Sequence, residues 1–411
     1  MANVFTSFYE ETFGQVEDRL KKFYVAGALA GKIAEQGLNG GRTYQYSADA
    51  DVYANRTANY TDVGFNDFAP SETVMDARQY QYQYSFRVDM RDKNVLRRWP
   101  AFVAGKAQDC VKQLTLQSDG DFLGETYSSA ANYFDNADLG GSAGSITLNA
   151  GNSIETFSSA LGKLQNIAGP SGSQYALVIT PVQLAKLQQA KVANGWRVAD
   201  TILEENKNNE VTNDFMGMRV FLSSALTHTY TIAYANGTDF SAATTFTING
   251  VVFKATASSV ATYNDFLMGS NADTSATALV GLINAPTTTD SNGFKVASVE
   301  DTDATRRLNL AKLNGISATV DTTNNVIKII SKRGPATITS TLTSATSVST
   351  GTVHNYLGQV GAVELAHGTP LENLVRDEPK QPTQNFLSFL DYGVKTQTFA
   401  ASRILDVRCF V

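Results

Sequence analysis

The chain has 411 residues, 43% of them hydrophobic and 18% charged, which leaves room for two or three globular domains. A formal net charge of −6 and a pI near 5.2 argue against a dedicated nucleic-acid binder, although a shell that merely encloses nucleic acid need not be basic. Two cysteines, Cys110 and Cys409, give no disulfide framework, and no stretch approaches the ~20 apolar residues of a membrane-spanning helix.

The first residues carry acids and no apolar run, so a signal peptide is not expected. Residues 3–36 are expected to be helical. Phe5, Phe8, Tyr9, Phe13, Val16, Leu20 and Phe23 recur at three- and four-residue spacing, and Gly37, Gly40 and Gly41 end the pattern. Such a helix either clasps a neighbouring surface or docks on its own domain. Within it, Gly27 to Lys32 has a passing likeness to a phosphate loop, but it is one residue short and lacks the following Ser or Thr, so it reads as packing.

Two alternating runs follow. Thr43 to Tyr53 places Tyr44, Tyr46, Ala48, Ala50 and Val52 on one face. Tyr80 to Met90 (YQYQYSFRVDM) alternates strictly, with Tyr80, Tyr82, Tyr84, Phe86, Val88 and Met90 on one face. At ~3.3 Å per residue the second run predicts a strand about 35 Å long. With the polar connection from Ala54 to Met75 between them, the two runs predict an extended hairpin over 43–90. Its aromatic face is expected to need a second surface, supplied by another copy of the chain; the alternative is one hairpin of an ordinary sheet. Asp49 and Asp51 share a strand face and read as solvated rather than as cation ligands.

A helix is predicted from Pro100 through Gln117, with Phe102, Val103, Ala107, Cys110, Val111 and Leu114 on its apolar face. The stretch Gly140 to Gly151 reads as loop or edge hairpin. Ser153 reads as the N-cap of a helix over 153–166, and Tyr175 to Ile179 (YALVI) as a buried strand. Thr180-Pro181 then opens another helix, Thr as cap and Pro at the first position. Met218 to Leu222 reads as a strand.

From His228 to Thr352 the composition changes: 25 of 125 residues are threonine, with eight basic and eight acidic side chains. Asn249-Gly250 between Thr245–Ile248 and Val251–Ala255 is a strong two-residue hairpin signal. A helix near Asp273 and strands at 294–299, 316–320 and 326–331 complete what reads as a separate small α+β domain. After Gly351 the composition of residues 1–227 returns, with GQVGAVEL (358–365), Tyr392 to Lys395, and a closing strand from Ile404 to Val411.

In this order the pieces resemble the major capsid proteins of tailed bacteriophages, the Hong Kong 97-like fold. The resemblance rests on the arm helix, the protruding hairpin, the long helix after Pro100, the 153–166 helix with YALVIT and the Pro181 helix. It continues through GMRVFLSS (217–224), GQVGAVEL and Tyr392 to Val411, covering about 285 residues, everything but the threonine-rich insert. Its strength lies in the order of several weak features, not in one motif. It implies an α+β fold with an N-terminal arm (1–42), an extended hairpin or E-loop (43–90) and a peripheral domain with a spine helix (91–190). An axial domain would begin at 191–227, be interrupted by an insertion domain (228–352) and be completed at 353–411. Only about 40 residues precede the hairpin, so a separate scaffolding protein, or none, is expected.

The resemblance implies hexamers and pentamers tiling an icosahedral shell around double-stranded DNA. Contacts between copies are expected from Phe5, Phe8, Phe13 and Leu20 of the arm, and from Tyr44, Tyr46, Tyr80, Tyr82, Tyr84 and Phe86 of the hairpin. Trp196, in a loop over 194–209, is expected near the capsomer centre. The implied partners are further copies of the chain, a scaffolding protein, a portal, a possible decoration protein and packaged DNA contacted without sequence preference; no membrane is involved. The implied location is the virion capsid, assembled in the host bacterial cytoplasm.

No catalytic, metal or cofactor site is legible. His228, His354 and His367 are scattered, without metal-ligand spacing, and no nucleophile-elbow pattern occurs. Cys110 and Cys409 read as buried free thiols. Two other readings stay open: a tail, fibre or adhesin protein, supported by the Thr-rich insert, and an enzyme with a lid insertion. Removing 228–352 is expected to leave a capsid core able to fold, whereas an adhesin would lose its working part.

Overall fold

A computed structural model of the chain describes residues 25–32, 43–48, 71–76, 79–89, 99–168, 175–193, 215–235, 239–242, 244–257, 264–284, 309, 312–342, 351–377, 383–396 and 399–410. In chain order the elements are α1 (Val25–Leu29), β1 (Gly31–Lys32), β2 (Thr43–Ala48), β3 (Ser71–Asp76), β4 (Tyr80–Asp89), α2 (Trp99–Ser129), β5 (Asn132–Phe134) and β6 (Ile146–Thr147). Then come α3 (Ser153–Ala168), β7 (Tyr175–Ile179), α4 (Pro181–Ala193), β8 (Met218–Leu222), β9 (Thr227–Ala233), β10 (Thr245–Ile248), β11 (Val251–Thr256), β12 (Asp265–Leu267) and α5 (Ala272–Asn284). The chain closes with β13 (Ile316–Asp321), β14 (Val326–Ser331), β15 (Ile338–Ser340), β16 (Thr352–Gln359), β17 (Val363–Asp377), β18 (Thr383–Thr396) and β19 (Ile404–Phe410). The class is α+β, as expected.

The central sheet is mixed. Its path runs β13-β14-β9-β16-β19-β5, with β7 and β8 attached beside β16 and β6 beside β19. One edge of β16 is shared: Thr352–His354 pair with β9, and Leu357–Gln359 pair with β7. Helices α3 and α4 cover β7, β8 and β19 through Phe157, Leu161, Leu164, Leu184 and Leu187, around strand YALVI, which is buried along its whole length. The Thr180 cap is realised as a reciprocal pair: Gln183 N–H donates to Thr180 Oγ1 (3.2 Å) and Thr180 N–H to Gln183 Oε1 (2.9 Å). Ser153 opens α3 but does not cap it; its buried hydroxyl lies 3.4 Å from the Lys186 carbonyl, and the Thr156 N–H donates to Asn152 O instead.

The second sheet is a ribbon in the order β1-β17-β18-β4. Here the pairing differs from expectation. Strand β4 pairs with β18, from Tyr80↔Tyr392 to Asp89↔Thr383 without a register break, whereas β2 pairs with β3. A ten-residue strand needs a partner of its own length, which β18 offers with fourteen residues and β2 with six does not. The sequence hides β18 because Phe386-Leu387 and Phe389-Leu390 interrupt period-two alternation.

Three further boundaries move. The expected 3–36 helix gives way at Gly31 to β1, parallel to β17; a Cβ at Gly31 would lie 3.2 Å from the Gly361 carbonyl, so a side chain there would press the two backbones apart by a few tenths of an ångström. Helix α2 runs to Ser129 rather than Gln117, straight through Ser118-Asp119-Gly120-Asp121, because both aspartates find buried partners. The insert has its own core and its own sheet, β12-β11-β10-β15, including the Asn249-Gly250 turn with φ of 50° and 78°. Yet it is no separate body: β9, β14 and β13 continue the central sheet outward from β16. The strand expected at 294–299 lies outside the described residues.

Candidate assembly site

The ribbon and α2 run side by side. At 1.5 Å per residue the 31-residue helix is about 46 Å long, and at ~3.4 Å per residue the 15-residue β17 is about 50 Å. Tyr80, Leu390, Tyr392 and Val394 of the ribbon share one core with Phe122 and Leu123 of α2. Tyr392 stacks at tilted angles against Tyr80 (5.4 Å) and Tyr82 (6.0 Å). Both outer edges of the ribbon are long. Among the described residues β17 is paired on that side only at Glu364 and Leu365, and β4 has no strand beyond it.

Beneath the tyrosines two carboxylates are fully buried in α2. Asp119 accepts from the Ala26 N–H (2.9 Å) and the Val25 N–H (3.4 Å), pinning the start of α1 to the long helix. Burial pushes its carboxyl up to about 7, against the pull of those two donors. Asp121 Oδ2 accepts from the Tyr82 hydroxyl and, at 2.7 Å, from the Tyr392 hydroxyl. Arg333 Nη2, from the insert, stands 3.6 Å from Asp121 Oδ1, with its guanidinium 5.3 Å from the centre of the Tyr82 ring. Burial raises Asp121 to about 6, while Arg333 and the two phenols act to lower it.

A second buried polar group ties the central sheet to α2. His354 Nδ1 is 2.9 Å from the Asp406 carboxylate, His354 Nε2 is 2.9 Å from Thr229 Oγ1, and Arg408 Nε donates to Asp406 at 3.0 Å. The imidazole lies 4.4 Å from the Tyr127 ring. Hydroxyl, imidazole and carboxylate in a row have the form of a nucleophile relay, but Thr229 is only 8% exposed inside a strand, closed off from any substrate. The group acts as a cross-tie between β9, β16 and β19. Among the described residues no cluster of three or more His, Cys, Asp or Glu is placed to hold a metal, and no helix is long and apolar enough to cross a membrane. Asp49 and Asp51 lie outside them.

Of the residues expected to join copies, Tyr80 and Tyr82 are packed within the chain against α2 and Tyr392, and Tyr84 lies further out along the same strand, half-buried. Phe86 pairs in register with Phe386, Tyr44 with Met75 and Tyr46 with Thr73. Phe5, Phe8, Phe13, Leu20 and Trp196 lie outside the described residues. Cys110 and Cys409 are both free and buried, and burial raises both thiols. Asp119, Asp121, Arg333 and the His354 cross-tie were not singled out by sequence. One signal existed: seven residues beyond Leu114, the apolar stripe of α2 lands on Asp121, an acid where a core residue belongs.

No protein-family model and no curated protein matches the sequence. Among solved structures, the head structure of Helicobacter pylori bacteriophage KHP40 is similar at 9% identity and TM-score 0.46, over 95% of this chain and 91% of that one. The mature capsid of bacteriophage PhiM1 is similar at 10% identity and TM-score 0.45, over 94% and 87%. A virus-like particle from Pyrococcus furiosus is similar at 10% identity and TM-score 0.42, over 97% and 99%.

Proposed function

We propose that the chain is a shell-forming subunit, the major capsid protein of a tailed bacteriophage with a Hong Kong 97-like fold, and that its role is structural rather than catalytic. The observation that carries this reading is the ribbon. Among the described residues its strands of ten to fifteen residues leave two long edges that no neighbouring strand covers, a shape that a lone protein avoids and a repeating assembly satisfies. The order of arm, ribbon and long helix along the chain supports it further. Copies would meet through these edges and the arm, forming rings of five and six that close around DNA. A scaffolding protein, a portal and a decoration protein would be its partners during assembly in the host.

The test is negative-stain electron microscopy of the chain expressed alone and with co-encoded scaffold candidates. Closed shells or rings of five and six are expected. Fibres, or a monodisperse monomer under both conditions, would overturn the reading.

A further inference from the structure

Helix α2 presents a stripe of small and polar residues, Gly120, Asp121, Gly124 and Tyr127, and the insert lies along it. Lys328 Nζ is 3.3 Å from the Tyr127 hydroxyl, the Lys332 stem crosses Gly124, and the Lys332 carbonyl with the Arg333 stem crosses Gly120. A Cβ at Gly120 would stand 3.0 Å from the Lys332 carbonyl oxygen, and one at Gly124 3.1 Å from Lys332 Cδ. Successive insert residues thus meet successively earlier turns of α2. At the end of the row Arg333, only 10% exposed, reaches through to Asp121 and donates to the Tyr82 hydroxyl. It therefore touches a helix residue and a ribbon residue at once.

We infer that the insert is keyed into the core as a strut: its Lys332-Arg333 corner seats in the Gly120/Gly124 notch of α2, and Arg333 supplies the countercharge that lets Asp121 hold the ribbon through Tyr82 and Tyr392. Removing the cation opposite a buried carboxylate is costly because it leaves an uncompensated charge, and replacing the carboxylate by a neutral amide removes that charge. The groups facing Asp121 are Tyr82 and Tyr392 from the ribbon and Arg333 and Lys332 from the insert. Both phenols are neutral donors, and among the described residues the positive charge comes from the insert. This inference concerns how the chain holds itself together and is independent of whether copies form a shell.

The experiment is thermal unfolding of the full chain and its variants, read at about pH 8 and about pH 5. Arg333→Met keeps the stem and removes the charge; its midpoint is expected to fall by roughly 3–6 °C near pH 8. Near pH 5, where Asp121 protonates, most of that loss disappears. The Arg333→Met, Asp121→Asn pair recovers most of the midpoint near pH 8, because no charge is left to compensate. A loss that is equal at both pH values and not relieved by Asp121→Asn would mean that Arg333 only packs, and would overturn the inference. If Arg333→Met fails to fold, Gly120→Ala and Gly124→Ala decide. The first sets a Cβ against backbone and is expected to lower the midpoint more than the second, which meets a movable side chain; equal and negligible effects would leave no notch.

Discussion

At the scale of single residues, Asp119 and Asp121 are the two carboxyls among the described residues that burial holds above their ordinary range. Both carboxyls sit above the ordinary range of about 4, near 7 and near 6, because burial penalises the charged form more than their donors repay. A raised folded-state value means the stabilisation is complete below about pH 4 and is lost as pH rises through 6 and 7. The unfolding midpoint is therefore expected to be higher near pH 5 than near pH 8. Asp119→Asn keeps an oxygen acceptor for the Ala26 N–H, sets an amide NH2 against the Val25 N–H and removes the titration, so it is expected to flatten the slope of midpoint against pH. Calorimetry of both proteins across this window checks it; parallel curves would refute the assignment. The sequence reads Ser118-Asp119-Gly120-Asp121 as the end of a helix, since local propensity disfavours it there. Partners 93, 94 and 271 residues away reverse that preference.

At the scale of elements, the edges of the sheets are managed in two ways. Among the described residues the ribbon leaves its outer edges long. The central sheet closes its outer strand instead: Asn284, at the end of α5, donates to the Ala318 carbonyl (2.6 Å) and accepts from the Ala318 N–H (2.8 Å), imitating one rung of a neighbouring strand on β13. Asn284→Ala leaves a buried backbone pair unsatisfied, at an expected cost of about 1–3 kcal/mol, and opens that edge to pairing. Earlier onset of light scattering on heating, together with a lower midpoint, is the measurement. The elements with local chemistry of their own were legible: YALVI, the Thr180-Pro181 cap and the Asn249-Gly250 turn stand where their residues place them. Strand β18 was not, because its identity comes from β4 and β17 on either side rather than from its own alternation.

At the scale of the whole molecule, the insert and the core share a sheet, a helix stripe and two buried polar groups. Removing residues 228–352 takes Arg333 from Asp121 and Thr229 from His354, and strips β9 from the edge of β16. The sequence, in which the insert begins and ends as an abrupt change of composition, suggests a module that can be cut away. The structure gives the opposite expectation: the shortened chain is expected to lose cooperative unfolding and to partition into aggregates. Soluble yield and the calorimetric transition would decide, and a soluble, cooperatively folded remnant would restore the modular view.

Residue order was enough for the class of the fold, its buried strand, the Thr180-capped helix and the succession of parts that resembles a capsid protein. These rest on periodicity and on turn and cap chemistry, which act within a few residues. Long-range packing settled which strands pair, how far α2 runs, and that the threonine-rich insert shares the central sheet and buried polar contacts with the core. Those depend on side chains far apart in the chain sharing one desolvated space, where a charge is tolerated only when its partner arrives from elsewhere in the fold.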